Sequence, residues 1–257
     1  MSSKGRFVWY ELLSKDAAAA KAFYEDVVGW EAEAWEEGSH PYSIWSAGDG
    51  QIGGLMQLLP EHLDAGTRPH WWAHVTVDDV DQAAARAEDL GGKIHTPPTD
   101  IPQIGRFAAV TDPLGALLSL FKPNQEAPPP EMMKVGHIAW NELNTSDYEA
   151  TWNFYAELFG WKTAGAMDMG EAGQYMTFRH PDDPEAQSMG GMFDAAKISE
   201  MPVTWLYYIN VEAIEPALER TKKNGGRVLN GPNEVPGGRA AQCLDDQGVL
   251  FALFSEK

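Results

Sequence analysis

An internal repeat constrains the fold of this 257-residue chain more than any other feature of its sequence. The run Trp9-Tyr10-Glu11-Leu12 returns 131 residues later as Trp140-Asn141-Glu142-Leu143. The same spacing separates Val28-Gly29-Trp30 from Phe159-Gly160-Trp161. A repeat of this length is too long for a solenoid unit, so it predicts two copies of one small module.

Each copy shows the same order of predicted elements. A β pattern over Phe7 to Leu13 is followed by Asp16 and by apolar residues at helical spacing, and Gly29 is the predicted helix stop. Further β patterns and a second helix, Val80 to Leu90, complete the first copy. Because the second copy follows this order, we predict two βαβββ units in each copy.

A pair of glycines lies inside an apolar run of each copy, at Gly53-Gly54 and at Gly190-Gly191. A phosphate-binding loop would need a following helix and a lysine, which neither run has. Glycines inside a strand instead indicate a bulge or a close approach of the backbone to a neighbour. We find no nucleotide-binding signature.

A proline-rich segment separates the two copies. Residues 123–131 include three consecutive prolines at 128–130. Prolines at this density favour an extended spacer with few packed contacts. We therefore predict an N-terminal module over 1–122, a linker over 123–131 and a C-terminal module over 132–257.

Composition excludes several classes of partner. A net charge of −19 would repel phosphate backbones and anionic membranes, so we expect neither nucleic acid nor membrane as a partner. No stretch approaches the roughly 20 apolar residues of a membrane span. The single cysteine, Cys243, fits a reducing compartment, which predicts a cytoplasmic protein. We expect a monomer or homodimer.

The ordered landmarks resemble the glyoxalase/bleomycin-resistance family of the vicinal oxygen chelate superfamily. They are the strand, acidic residue and Gly-Trp described above, then Asp78-Asp79-Val80, a helix, Gly91-Gly92 and Asp112-Pro113-Leu114-Gly115. The resemblance covers nearly the whole chain twice, as in two-module glyoxalase-like proteins. It implies an α+β fold in which each module is a curved mixed sheet with helices on its convex side. That superfamily includes lyases, epimerases, dioxygenases, thiol transferases and drug-sequestering proteins, so the activity stays open.

The resemblance also implies three metal-ligand positions in each copy. Metal-using members carry a His or Gln on the first strand, a His on the strand that opens the second half, and a Glu on the last strand. The corresponding residues are Trp9, Trp72 and Ser119 in the first copy, and Trp140, Leu206 and Ala252 in the second. None offers an imidazole or carboxylate. We therefore expect no divalent metal at these positions and no other cofactor.

Strand alternation predicts an aromatic-lined cavity, because residues two apart share a face of the sheet. Aromatic walls with a few polar groups suit a small organic ligand. The alternative is that the tryptophans fill the concave face as a core. The predicted ligand contacts are Trp9, Trp45, Trp72, Ser119, Phe121, Trp140 and Asn210.

Four side chains on these faces suit acid–base chemistry: Glu11, His74, Glu142 and Tyr208. A carboxylate on a concave sheet face is costly unless it is partnered or solvated, and a contact between the copies would equally explain Glu11 and Glu142. An unperturbed imidazole titrates near neutrality, with a pKa of about 6.5. We therefore favour His74 as the candidate for proton transfer in either direction. Histidines in the loops, such as His70, are expected to be solvated at the rim.

Three functions are consistent with these residues. The first, which we favour, is a metal-independent lyase, isomerase or hydratase-type enzyme that binds a small organic metabolite and uses Glu/His acid–base chemistry. The second is a non-catalytic protein that sequesters a drug or other small molecule, as bleomycin-resistance proteins do. The third is a metal-dependent lyase or dioxygenase whose metal site is displaced onto Glu11, His74 and Glu142.

Overall fold

The computed structural model describes residues 4–36, 41–48, 50–125, 131–170, 173–182, 188–195 and 201–257. The first copy contains eight strands and three helices among these residues: β1 (Phe7–Ser14), α1 (Ala17–Val28), β2 (Glu31–Ala34), β3 (Tyr42–Ala47), β4 (Gly50–Gln57), α2 (Pro60–Asp64), β5 (His70–Thr76), α3 (Val80–Asp89), β6 (Lys93–Ile101), β7 (Gly105–Thr111) and β8 (Leu117–Pro123).

The second copy repeats this order without a counterpart of α2 among the described residues. Its elements are β9 (Ile138–Asn144), α4 (Tyr148–Phe159), β10 (Lys162–Asp168), β11 (Gln174–Arg179), β12 (Gly190–Phe193), β13 (Thr204–Asn210), α5 (Ile214–Lys223), β14 (Arg227–Val235), β15 (Gly238–Leu244) and β16 (Leu250–Glu256). The predicted pair of βαβββ units in each copy is confirmed.

Each copy forms one eight-stranded mixed sheet. The strand order is β2-β3-β4-β1-β5-β8-β7-β6 in the first sheet and β10-β11-β12-β9-β13-β16-β15-β14 in the second. Parallel pairs such as β1 with β4 lie beside antiparallel pairs such as β3 with β4. This arrangement confirms the predicted α+β class.

The predicted helix ends are also observed. The side chain of Asp16 accepts a hydrogen bond from the backbone N–H of Ala19, which caps the start of α1. Gly29 ends the helix with a left-handed φ of 77°, a conformation that costs glycine little. In the second copy Asp147 and Gly160 cap α4 in the same way.

By their contacts, the described residues form two compact units, and each unit contains segments of both copies. Unit 1 comprises the described residues within 1–8, 72–130 and 141–205, and unit 2 comprises those within 9–71, 131–140 and 206–257. The predicted linker falls partly on residues 126–130, which lie outside the described residues. The division into modules over 1–122 and 132–257 stays a prediction.

The core of unit 2 joins α1 of the first copy to the sheet of the second. The Phe23 ring packs edge-on against Phe251 at 5.8 Å between ring centroids. Beside it, the Tyr24 hydroxyl donates to Asp245 Oδ2 at 3.2 Å. The Trp30 indole donates to the Gly136 carbonyl at 2.7 Å. These contacts hold residues from both copies together around one buried aromatic core.

The core of unit 1 repeats these contacts with the copies exchanged. The Tyr155 hydroxyl donates to Asp112 Oδ2 at 3.2 Å, and the Trp161 indole donates to the Gly5 carbonyl at 2.7 Å. In this unit the helix comes from the second copy and its partners from the first. Among the described residues, no helix has the length and apolar character needed to cross a membrane.

Candidate functional site

A directed chain of hydrogen bonds links two strands of unit 2, β1 and β3. The Trp9 indole N–H donates to the Tyr42 hydroxyl at 2.8 Å, and that hydroxyl donates to Glu11 Oε1 at 2.7 Å. Burial, followed by the charge of Glu11, raises the pKa of Tyr42 above its usual value. The phenol therefore stays protonated and keeps its role as the donor to the carboxylate. The structure thus joins the predicted residues Trp9 and Glu11 through Tyr42.

His70 accompanies this chain in unit 2. Its Nδ1 lies 2.7 Å from the Arg68 carbonyl oxygen. A carbonyl only accepts, so in the neutral ring Nδ1 carries the proton and Nε2 keeps its lone pair. Burial lowers the pKa of His70, although the bond to Arg68 and the charge of Glu11 raise it in part. The ring is therefore a neutral base near pH 7, rather than the solvated loop histidine expected from the sequence.

The paired glycines explain how Tyr42 reaches Glu11. In the pairing of β1 with β4, Gly54 lies opposite Glu11. A Cβ added to Gly54 would stand 1.8 Å from the Tyr42 hydroxyl oxygen. Only a glycine leaves room for the phenol to cross the strand at this point. The expectation of close backbone packing is confirmed here.

The second copy builds the same pair in unit 1. The Tyr175 hydroxyl donates to Glu142 Oε2 at 2.9 Å, and Gly191 lies opposite Glu142 in the pairing of β12 with β9. A Cβ added to Gly191 would stand 2.2 Å from the Tyr175 ring. Glu142 is only 7% exposed, whereas Glu11 is half-buried. The second pair is therefore the more enclosed of the two.

An aromatic cluster surrounds His74 in unit 1. Its ring lies 5.1 Å from Trp72 and 5.4 Å from Phe121 between centroids, and Phe107 completes the group at 6.4 Å. Ser119 is opposite His74 in the pairing of β5 with β8 and is fully buried. The sharing of one face by Trp72, His74 and Phe121 follows the predicted strand alternation.

The remaining predicted residues of the second copy lie in unit 2. Trp140 packs against an apolar cluster that includes Tyr208, Ala252 and Phe254. Gln242 donates to the Tyr208 hydroxyl at 3.4 Å, a long hydrogen bond. Asn210 is 1% exposed, and its amide nitrogen donates to the Met133 carbonyl at 2.6 Å. A ligand contact at Trp140, Tyr208 or Asn210 stays a prediction.

Trp45, the remaining predicted ligand contact, lies in the aromatic core of unit 2. Its side chain is completely buried, 5.5 Å from Trp30 and 6.0 Å from Tyr24 between ring centroids. Such packing stabilises a core whether or not a ligand is bound. The predicted ligand contact at Trp45 is therefore accompanied by an evident packing role.

The side chains at the family's metal positions do not fit a metal ion. The Trp9 indole is committed as a hydrogen-bond donor to Tyr42, and an indole N–H has no lone pair to offer. Leu206 and Ala252 are fully buried apolar residues. Among the described residues, no group of three or more His, Cys, Asp or Glu is placed to hold a metal ion. The expectation of no metal cofactor stays a prediction.

A separate groove lies beside β10 and β11 in unit 1. Its volume is about 500 Å³, and its lining residues include Tyr148, Thr163, Gln174 and Met176. None of the predicted site residues is among those that define it. The groove therefore adds nothing to the acid–base residues described above.

Tyr42, Tyr175 and His70 were absent from the predicted site residues. The sequence does contain a signal for the tyrosines. Each copy has a Trp-x-Glu strand, then an aligned tyrosine, Tyr42 or Tyr175, and then a glycine doublet. His70 has no such signal, since its counterpart in the second copy is Thr204. The difference between His70 and Thr204 becomes visible once the structure shows that they are the first residues of β5 and β13.

A family model described as "Glyoxalase/Bleomycin resistance protein/Dioxygenase superfamily" matches residues 6–120 and 134–253. A Mycobacterium bovis protein named "Putative glyoxylase CFP32" is 27% identical over 248 residues, which cover 95% of this chain and 92% of that protein. The Streptomyces peucetius "Anthracycline biosynthesis protein DnrV" is 27% identical over 263 residues, covering 97% and 92%.

A solved structure shows the same fold at low sequence identity. The Mn(II)-bound glyoxalase from Novosphingobium aromaticivorans superposes with a TM-score of 0.64 at 17% identity, covering 100% of this chain and 83% of its own. At this identity the likeness concerns the fold alone. It agrees with the tandem arrangement read from the repeat.

Proposed function

Because the chain belongs to the glyoxalase/bleomycin resistance protein/dioxygenase superfamily, we propose that it binds a small planar organic molecule and acts on it by metal-independent acid–base chemistry. The reaction class is that of a lyase, isomerase or hydratase. The observation that carries this proposal is the chain of hydrogen bonds from Trp9 through Tyr42 to Glu11. It combines an aromatic surface with a carboxylate held in place by a phenol.

The roles follow from the chemistry of each group. Trp9 offers an indole face for stacking, and Glu11 is the carboxylate that receives or stabilises a proton. His74, surrounded by Trp72 and Phe121, is the predicted proton-transfer group of unit 1, whereas Glu11 lies in unit 2. Glu142 in unit 1 and Tyr208 in unit 2 are the groups proposed to orient a ligand in their own unit. The name of the Streptomyces relative supports a planar aromatic ligand, since anthracyclines are polycyclic aromatic compounds.

A binding experiment tests the ligand class. Alizarin, a planar dihydroxyanthraquinone, is titrated against the protein in the presence of EDTA, and quenching of tryptophan fluorescence is recorded. We expect saturable binding that Trp9→Leu weakens about tenfold, a loss of about 1.4 kcal/mol. Trp35→Leu is the control, because Trp35 is 36% exposed and its side chain is not part of the Trp9–Tyr42–Glu11 hydrogen-bond chain. Equal affinities of both variants and wild type would contradict the proposal.

A conversion experiment tests catalysis and metal independence together. Ligands retained by the purified protein are identified by native mass spectrometry, and each is followed for chemical change under single-turnover conditions. We expect change that persists in EDTA and is lost in Glu11→Gln for a ligand held in unit 2, or in His74→Ala for a ligand held in unit 1. Stoichiometric metal on elemental analysis, or activation by added iron, zinc, nickel or manganese, would instead support the displaced metal site.

Sequestration without turnover is the second candidate function. The aromatic cluster of Trp72, Phe107 and Phe121 supports it, because ring faces and edges bind planar or cationic molecules without reacting. The net charge of −19 also favours a cationic ligand. Tight binding with no conversion of any retained ligand would decide for this function.

A further inference from the structure

The two copies carry the same tyrosine–glutamate pair but differ beside it. In unit 2, Glu11 accepts from Tyr42, and His70 is near enough for the charge of Glu11 to act on its ring. In unit 1, Glu142 accepts from Tyr175, and the residue that corresponds to His70 is Thr204. The Thr204 hydroxyl donates to the Trp205 carbonyl at 3.3 Å. A threonine in that position supplies no base near neutral pH.

Exposure separates the pairs in the same direction. Glu11, Tyr42 and His70 are all half-buried, so each keeps part of its surface exposed. Glu142 and Tyr175 are each only 7% exposed. An enclosed carboxylate–phenol pair stabilises a fold, whereas an accessible one beside a base can also contact a ligand.

From this contrast we infer that the first copy holds the working site and that the Nε2 atom of His70 accepts a proton from a hydroxyl group of the bound ligand. This inference rests on the proposed function: Glu11 keeps its role as the carboxylate that stabilises the proton, and His70 is added as the group that accepts it from the ligand. The ligand class it implies is a planar molecule with an acidic hydroxyl, such as a phenol.

The proton transfer is balanced within the described groups. The ligand O–H bond breaks, its electron pair stays on oxygen, and the proton bonds to His70 Nε2. The ring then carries protons on both nitrogens. Nδ1–H remains bonded to the Arg68 carbonyl, and the Glu11 carboxylate stabilises the new positive charge. Tyr42 fixes the orientation of that carboxylate through its bond to Oε1.

Alizarin also serves as the probe for this transfer, because its absorption band moves to longer wavelength when a hydroxyl group loses its proton. Spectra are recorded with the full-length protein in EDTA, at a pH where the free dye is still protonated. For wild type we expect a red shift on binding. In His70→Asn the shift should disappear while the dye still binds, since the asparagine amide replaces the Nδ1–H donor but has no basic nitrogen.

Two further variants complete the test. His70→Gln, which lacks a basic nitrogen in a different geometry, should also lose the shift. Thr204→Ala, at the matching position of the second copy, should keep it. Two outcomes would overturn the assignment of His70 but leave the ligand class intact. One is that bound dye shows the same shift in wild type and in His70→Asn. The other is that the shift is lost in Thr204→Ala. Failure of alizarin to bind wild type would overturn the ligand class and, with it, both proposals.

Discussion

At the scale of single residues, two glycines determine whether the carboxylates gain their phenol partners. Gly54 and Gly191 each lie where a tyrosine crosses the strand to reach a glutamate. Tyr42 is half-buried, so part of its side chain borders solvent, whereas Tyr175 is 7% exposed and is enclosed. The same substitution should therefore cost the two copies different amounts of stability.

Replacing these glycines with alanine tests that expectation. We expect Gly191→Ala to lower the free energy of unfolding by about 1–3 kcal/mol, since a buried ring must move. Gly54→Ala should cost less, about 1 kcal/mol, from the lost hydrogen bonds. Gly165→Ala is the control, because an added Cβ there meets only Thr177 Oγ1 at 3.4 Å. Urea unfolding gives the three values, and equal costs for all three would contradict the interpretation.

Part of this site can be predicted from the sequence. Strand alternation puts Trp9 and Glu11 on one face of β1, and the structure links them through Tyr42. Tyr42 was not foreseen as that link, because strand alternation describes one strand and says nothing about a side chain that crosses from another. The sequence predicts a solvated loop position for His70, but this residue begins β5 and is half-buried.

At the scale of elements, helix α1 and the turn between β15 and β16 are joined by a buried carboxylate. Asp245 accepts from the backbone N–H groups of Gln247 and Val249, and also from the hydroxyl of Tyr24 in α1. Burial nevertheless raises the pKa of Asp245 to about 6. The desolvation of the carboxylate outweighs the hydrogen bonds that it accepts.

The stability of the protein should therefore depend on the protonation of Asp245. The pKa of Asp245 is about 6 in the folded protein, whereas its ordinary value, taken for the unfolded chain, is 3.8. The folded state therefore binds the proton more tightly. The stabilisation is complete below about pH 4 and is lost as the pH rises through about 6. The difference between the two pKa values corresponds to a loss of about 3 kcal/mol in the free energy of unfolding. Urea unfolding of wild type between pH 4 and 7.5 measures it.

The matched variants are Asp245→Asn and Asp64→Asn. Asparagine keeps an acceptor for the backbone N–H groups but does not titrate, so Asp245→Asn should flatten the decline between pH 4 and 7. Asp64 is an exposed residue at the end of α2, and its replacement should leave the profile unchanged. A profile of Asp245→Asn that parallels wild type would show that other groups cause the decline.

The elements differ in how well the sequence predicts them. The caps of α1 and α4 follow the sequence closely, because Asp and Gly have specific physical roles at helix ends. Strand β10 is exposed along its whole length, so it shows no alternation of apolar and polar residues. Helix α2 has five residues and no buried face, which leaves no periodicity to detect.

At the scale of the whole molecule, the compact units exchange segments between the copies. Tyr24 of the first copy bonds Asp245 of the second, and Tyr155 of the second bonds Asp112 of the first. The sequence cannot reveal this exchange, because equivalent residues would serve equally well for packing within a copy. The repeat predicts which residue types meet but not which copy supplies each one.

A chain divided within the linker tests the exchange. Residues 1–127 and 128–257, co-expressed as separate chains, should purify as a 1:1 complex, because neither piece contains a whole compact unit. Trp30→Phe removes one hydrogen bond between the pieces and should weaken association about fivefold, or about 1 kcal/mol. Trp35→Phe is the exposed control. Two pieces that fold separately and do not associate would contradict the exchanged arrangement.

The reciprocal bonds from tyrosine to aspartate also bear on how such a duplicated gene can change over time. A substitution at Tyr24 removes a hydrogen-bond donor from Asp245 in the other copy. Residues that bond across the two copies are therefore expected to covary among relatives. His70 and Thr204 lie outside that reciprocal set and have already diverged. Duplication followed by exchange thus leaves each copy dependent on the other for stability, yet free to acquire its own chemistry.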